Sequence, residues 1–360
     1  MKTKFLIISL LIISKTVAQT TVFNRADSLM QAGDYQRAIQ LLEREQPTYK
    51  LLKKIAENYQ QASNYSKAIS YYRKAYGLYP SDKLKAAMGN CYEALGNIEE
   101  AMKLYEEVLQ MHPENLLLKY QLAKLYISNF KVEKGIKLLK ELSQKDSLNP
   151  NYPYQLGNTY AKLGTQGFIK SGNYYLQAYH IDSTHVKSIY NLAKFFEQLR
   201  FKDSTMLFIN KGLMINPNSI NFNQLKSKHS YLNKELDTAL AYLKKLENLN
   251  FKTKFTYQLY GLVYLKKEDF KQAESYLKKA QRIDFRDPDT GFNLGLAQEG
   301  LKKYKEAERA YMFSILNQKP DTDKNYLRLG LVQLLQNKQK EALLSFEKGF
   351  ENNSQIHEKI

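Results

Sequence analysis

A small residue recurs ten times along the chain, at Ala26, Ala56, Gly89, Ala123, Gly157, Ala193, Ser227, Gly261, Gly295 and Gly330. Each is followed twelve to fourteen places later by a second, at Ala38, Ala68, Ala101, Gly135, Ser171, Thr205, Ala239, Ala273, Ala307 and Ala342. Most steps within the first set are 33 to 35 residues. A chain of 360 residues exceeds what one hydrophobic core ordinarily supports. A period of this size resolves the problem by repetition, each unit being a helical hairpin whose apolar face its neighbours bury.

Composition supports helix in every unit. Tyr reaches 28 while Trp is absent, and Leu, Lys, Ala, Gln and Glu fill the segments between loops. Seven of the eight prolines (Pro47, Pro80, Pro113, Pro150, Pro217, Pro288 and Pro320) fall near unit junctions, and Pro153 falls where a first helical turn tolerates it. Two antiparallel helices approach to about 8 to 10 Å only where their crossing points carry small side chains, as Gly261 against Ala273 would. Four places beyond the second small residue the side chain is always bulky and apolar: Leu42, Tyr72, Tyr105, Leu139, Tyr175, Ile209, Leu243, Leu277, Tyr311 and Phe346. Gly33-Asp34, Ser63-Asn64 and Gly96-Asn97 supply residues that accept the positive φ of a tight turn.

Aligned on the small positions, the second unit reads Leu52, Ala56, Tyr59, Ser63-Asn64-Tyr65, Ala68, Tyr72, Ala75, Pro80, and the eighth reads Tyr257, Gly261, Tyr264, Glu268-Asp269-Phe270, Ala273, Leu277, Ala280. This pattern resembles the tetratricopeptide repeat family. The resemblance implies an all-α fold, a right-handed superhelical solenoid of about ten helix-turn-helix repeats over residues 19–356. The units lie near 19–48, 49–81, 82–115, 116–149, 150–185, 186–219, 220–253, 254–287, 288–322 and 323–356, with 357–360 a polar tail. Unit one is expected to lack a full first helix, as a terminal cap does. Unit five carries about two extra residues around Gly164-Thr165-Gln166-Gly167, expected as a local bulge or loop, and unit four replaces the usual turn by Asn129-Phe130-Lys131-Val132.

The first residues read as an export signal: Lys2 and Lys4, an apolar run from Phe5 to Ile13, then Thr16-Val17-Ala18 with small residues where a signal peptidase requires them. Nine apolar residues are too few to span a bilayer, and no cysteine follows them for lipid attachment. The expectation is a signal peptide over 1–18 and a mature chain, without a membrane span, that is periplasmic or secreted. Formal charge is +18, and loss of Lys2, Lys4 and Lys15 leaves 51 basic against 36 acidic residues, or +15. That balance favours acidic partners through long-range steering, although export argues against nucleic acid.

The single cysteine, Cys91, excludes an internal disulfide and lies where a buried structural thiol is expected. No glycine-rich phosphate loop, G-x-S-x-G elbow or H-E-x-x-H is present. The histidines, mostly placed near helix ends or in loops, give no metal-ligand spacing: His180 and His185 bracket Asp182 without matching a helical pair. Asp284, Asp287 and Asp289 fit turn and cap preference. The expectation is a chain that is not an enzyme, with no cofactor and no metal.

In the resembled family the first helix of each hairpin lines a concave face. There the register sets out three ladders: Tyr120, Tyr154 and Tyr190; Gln121, Gln155 and Asn191; and Lys124, Asn158, Lys194 and Lys228. Aromatic faces, amides and positive charge suit an extended protein segment of acidic character. The same side chains equally fit ordinary repeat packing with a solvated basic face. Units eight to ten place Leu262, Leu296 and Leu331 where earlier units carry Lys or Asn, an apolar contact surface for a partner helix or a second copy of the chain. The leading expectation is a non-catalytic scaffold or adaptor binding an extended or helical protein segment in its concave groove outside the cytoplasm. The alternatives are a binder of polyanions such as acidic glycan, and a self-associating assembly factor forming a homo-oligomer.

Overall fold

A computed structural model describes residues 21–317 and 323–357, the side chains of 352–357 excepted. The expected export segment 1–18 and residues 358–360 of the expected polar tail lie outside the described residues. Among the described residues every regular element is a helix. The helices fall into two compact bodies, residues 1–182 and 183–360.

The N-terminal body holds five hairpins: α1 (21–31) with α2 (Tyr35–Leu42), α3 (Tyr49–Gln61) with α4 (Tyr65–Leu78), α5 (Asp82–Ala94) with α6 (Ile98–Met111), α7 (Leu116–Ser128) with α8 (Val132–Lys145), and α9 (Asn151–Ala161) with α10 (Thr165–Ile181). The C-terminal body holds five more: α11 (Val186–Gln198) with α12 (Lys202–Ile215), α13 (Ile220–Leu232) with α14 (Leu236–Asn248), α15 (Lys254–Lys266) with α16 (Phe270–Ile283), α17 (Pro288–Gly300) with α18 (Tyr304–Asn317), and α19 (Asp323–Leu334) with α20 (Gln339–His357). Within each body the partners of a hairpin pack on one another and each hairpin packs on the next. Each body is therefore an all-α solenoid of stacked helix pairs.

The turn inside each hairpin has a simple local cause. One residue adopts the left-handed conformation, at Gly33, Ser63 and Gly96 as expected and also at Phe130, Gly164, Arg200, Lys234, Glu268, Lys302 and Asn337. In most hairpins the next residue is the N-cap of the second helix. Asp34, Asn64 and Asp269 each accept the backbone N–H three residues on, from Arg37, Lys67 and Gln272, which satisfies one orphan donor of the new helix.

Small first positions serve as sockets. A Cβ added to Gly295 would lie 2.5 Å from the Tyr311 ring, one on Gly261 would lie 2.5 Å from Leu277, and Gly89 and Gly330 face Tyr105 and Phe346 in the same way. The bulky residue of the second helix thus plugs the notch on the first. Gly261 and Ala273 frame that contact, and Leu277 fills it. Gly135 in turn meets the backbone carbonyl of Ala123, the small-on-small approach the register implies. The ring plugs are anchored at their tips: Tyr311 donates to Glu299 at 2.6 Å, Tyr72 to Gln60 at 2.7 Å, and Tyr105 to Asn90 and Glu93. Cys91 is buried, and burial pushes its thiol up to about 11.

In the first hairpin α2 has only 8 residues, because Glu43 to Thr48 leave the helix. One local expectation is corrected. The extra residues of unit five make no loop. They lengthen α10 to 17 residues, and Gly167, lacking a Cβ, lies close against the Tyr160 carbonyl. Residues 351–357 continue α20.

Candidate functional site

In the N-terminal body, α7 presents Tyr120, Gln121 and Lys124 and α9 presents Tyr154, Gln155 and Asn158. Tyr120 is half-buried and meets Tyr152 edge-on, with ring centres 5.4 Å apart. Lys124 is exposed, its Nζ 5.4 Å from the Tyr120 ring centre. Burial raises the Tyr120 hydroxyl, and the neighbouring Tyr152 and Tyr154 add to the effect. Tyr154 packs on Tyr175 at 6.1 Å. Asn158 accepts the Tyr175 hydroxyl at 3.0 Å and so holds the plug of its own hairpin. Gln121 and Gln155 are half-buried.

In the C-terminal body, Tyr190 on α11 meets Phe222 on α13 edge-on at 5.7 Å, and Asn191 beside it is half-buried. Lys194 and Lys228 converge on one carboxylate: Glu197 receives Lys228 at 2.8 Å, Lys194 at 3.1 Å and His229 at 3.1 Å. Burial by itself would raise Glu197, but hydrogen bonds and charge from Lys228 and Lys194 outweigh it and hold the carboxyl at about 2. His229, in the last turn of α13, is buried, and burial lowers its ring.

Glu197 was not among the residues singled out from the sequence. It stands four places after the small Ala193, as Glu93 and Glu299 stand after Gly89 and Gly295, so a recurring acid was there to be read.

The leucines lie further along the same body. Leu262 on α15 and Leu296 on α17 are half-buried and line a cleft of about 440 Å³ together with Leu265, Phe270, Asn293 and Arg328. Glu299 at its edge accepts Arg328 at 2.9 Å as well as the Tyr311 hydroxyl. Leu331 keeps the register on α19 and is half-buried, while α19 contributes Arg328 to the lining.

The aspartates before α17 have structural employment. Asp287 caps that helix by accepting the Thr290 N–H at 2.8 Å, and Lys254 bridges Asp284 and Asp287 at 2.9 and 3.0 Å. Among the described residues no helix is long and apolar enough to cross a membrane.

Comparison with family models agrees with this architecture. Three family models described as tetratricopeptide repeat match residues 23–83 and 53–116, residues 93–152, and residues 256–287. No curated protein matches. Among solved structures, a tetratricopeptide repeat protein from Parabacteroides merdae ATCC 43184 aligns with 17% identity and a TM-score of 0.48, over 69% of this chain and 98% of its own. The APC/C hetero-tetramer Cut9-Hcn1 aligns with 14% identity and a TM-score of 0.47, over 92% and 80%. YrrB, described as a TPR protein with an unusual peptide-binding site, aligns with 15% identity and a TM-score of 0.44, over 51% and 97%.

Proposed function

The chain is a tetratricopeptide repeat protein, and on that premise we propose that it is a non-catalytic scaffold that holds an extended or helical protein segment outside the cytoplasm. The family generally binds protein or peptide partners and is generally non-catalytic. The observation that carries the finer reading is the open cleft shared by Leu262 and Leu296, one hairpin apart on first helices, with a charged edge at Glu299 and Arg328. Apolar side chains at a regular spacing suit an amphipathic partner, because alternate anchors of a segment can enter successive sockets. The export signal read in residues 1–18 supports an extracytoplasmic setting.

The polyanion reading has less support, since two of the ladder lysines, Lys194 and Lys228, already neutralise Glu197. In the N-terminal body Tyr120 and exposed Lys124 offer an aromatic and a charge to the same kind of segment, one of acidic character. A second copy of the chain is the remaining occupant of the leucine cleft, and light scattering on residues 19–360 separates it from a foreign partner.

The test is a pull-down from the extracytoplasmic fraction with wild type and a Leu262→Gln, Leu296→Gln double variant. Recovery of a partner by wild type alone supports the cleft, and equal recovery by both removes it.

A further inference from the structure

In the N-terminal body the side chain five places after a second small position meets the ring three places after the next first small position. Glu43 accepts the Tyr59 hydroxyl at 2.9 Å, Arg73 donates to the Tyr92 hydroxyl, and Glu106 accepts the Tyr126 hydroxyl at 2.6 Å. In the second hairpin the acid serves two rings. Tyr71 of α4 stacks on Tyr59 of α3 with ring centres 5.5 Å apart, and its hydroxyl donates to the same Glu43 oxygen at 2.7 Å. Lys67 lies over the Tyr59 ring, its Nζ 5.1 Å from the centre.

The fifth hairpin repeats this arrangement with one exchange. Tyr160 of α9 and Tyr174 of α10 hold the register of Tyr59 and Tyr71, and they stack at 5.4 Å with ring planes 7° apart. Lys170 holds the register of Lys67, its Nζ 5.5 Å from the Tyr160 ring centre. In the register of Glu43, however, the chain has Lys140 of α8. Burial raises the Tyr174 hydroxyl, so it remains a protonated donor at neutral pH; Lys140 is close enough to oppose that rise and Tyr160 close enough to add to it. Neither hydroxyl has a hydrogen-bond partner among the described residues, and Lys140 has no ion pair there. From Ser147 to Ile181 the chain carries no Asp or Glu, so the hairpin has no acid of its own to offer. Both rings are half-buried, while Lys140 and Lys170 are exposed, which leaves the group within reach of a partner.

We propose that Tyr160, Tyr174 and Lys140 form a site for a carboxylate that another protein supplies from an aspartate or glutamate side chain. The second hairpin specifies the ligand, because there the same pair of stacked tyrosines is completed by one carboxylate oxygen. Lys140 specifies that it comes from outside, since a cation now stands where the chain's own acid would, and charge-assisted bonds from two hydroxyls and an ammonium favour an anion over water. That the acid belongs to a protein rests on the reading of the chain as a protein-binding scaffold. The site uses α8 to α10 and none of the residues on the tyrosine, amide and lysine ladders.

The probe is a short fluorescent peptide in which glutamate alternates with serine, and its control carries glutamine for glutamate. Anisotropy is followed on titration with the full chain at about 0.15 M salt, where scattered surface charge is screened. The acidic peptide is expected to bind and the control not. Lys140→Glu returns a carboxylate to the register of Glu43, so it should raise the thermal midpoint and weaken the peptide about tenfold or more. Lys145→Glu, the same change of charge on the same helix, should weaken it less than about threefold. Tyr160→Phe with Tyr174→Phe should weaken it about three- to tenfold, with circular dichroism verifying that helicity is kept. Equal weakening by Lys140→Glu and Lys145→Glu reduces the binding to overall charge and overturns the proposal. So does undiminished binding to Lys140→Glu, or no binding of the acidic peptide by wild type. An oligoglucuronate that displaces the peptide and binds more tightly assigns the carboxylate to a glycan and equally overturns it. The pull-down described above reads Leu262 and Leu296 in the C-terminal body, so a partner recovered there while the peptide fails strikes this site alone and leaves the scaffold reading standing.

Discussion

Lys228 Nζ stands 2.8 Å from Glu197 Oε1, joining α13 to α11 across 31 positions of sequence. Lys194 and His229 complete the shell around the same carboxylate. Lys228, which a repeat register aims at a binding face, therefore ties two hairpins together, while Lys194 pairs with the same acid within α11, and the side chain that recruits both is half-hidden one turn along that helix.

Acid should uncouple that shell. The carboxyl of Glu197 titrates at about 2 in the fold against an ordinary value of 4.5, so its contribution is fully present above about pH 4.5 and is lost as pH falls toward 2. At neutral pH Glu197→Gln is expected to cost on the order of 2 kcal/mol. The difference from wild type should shrink through that window in chemical denaturation at successive pH values. A pH-independent difference would show that the pairs do not hold the hairpins together.

Gly295 and Gly77 should respond oppositely to alanine. At Gly295 the new Cβ meets the fully buried Tyr311 ring, an overpacking expected to cost about 1 to 3 kcal/mol. At Gly77 the Cβ enters open space within α4, where alanine gains up to about 1 kcal/mol of helix propensity. Thermal midpoints of the two variants, one lowered and one unchanged or raised, check the assignment of sockets.

Phe130 occupies a left-handed turn with φ 59 and is 93% exposed. A bulky L-residue is strained there and this ring recovers little by packing. Phe130→Gly is expected to stabilise the protein by about 1 kcal/mol, measured as a shift of the denaturation midpoint. A loss of stability would mean that the ring has a packing role.

Cys91 should be inert in the native protein. Its thiol is buried and raised to about 11, so little thiolate exists at pH 8. A colorimetric thiol reagent is expected to label it slowly under native conditions and fully in denaturant. Rapid native labelling would contradict the burial.

What the sequence determined by itself is the one-dimensional part of the fold. Gly261, Ala273 and Leu277 recur as a pattern because each hairpin must place a notch, a small crossing residue and a plug at constant spacing. That spacing follows from helix pitch and close packing alone. The turns at Gly33, Ser63 and Gly96 were legible for the same local reason, whereas the left-handed residue at Phe130 was not, since a tight helical hairpin takes that conformation before its cap whatever side chain is available.

Only the tertiary structure decided how side chains of equal register are employed. Asn158 holds the Tyr175 hydroxyl, Lys194 and Lys228 share Glu197, and Lys124 remains exposed beside Tyr120. A register position says which way a side chain sets out. Which partner it reaches depends on what packing brings close: Tyr175 is 17 places from Asn158 and Lys228 is 31 from Glu197, while Lys194 finds the same acid within its own helix.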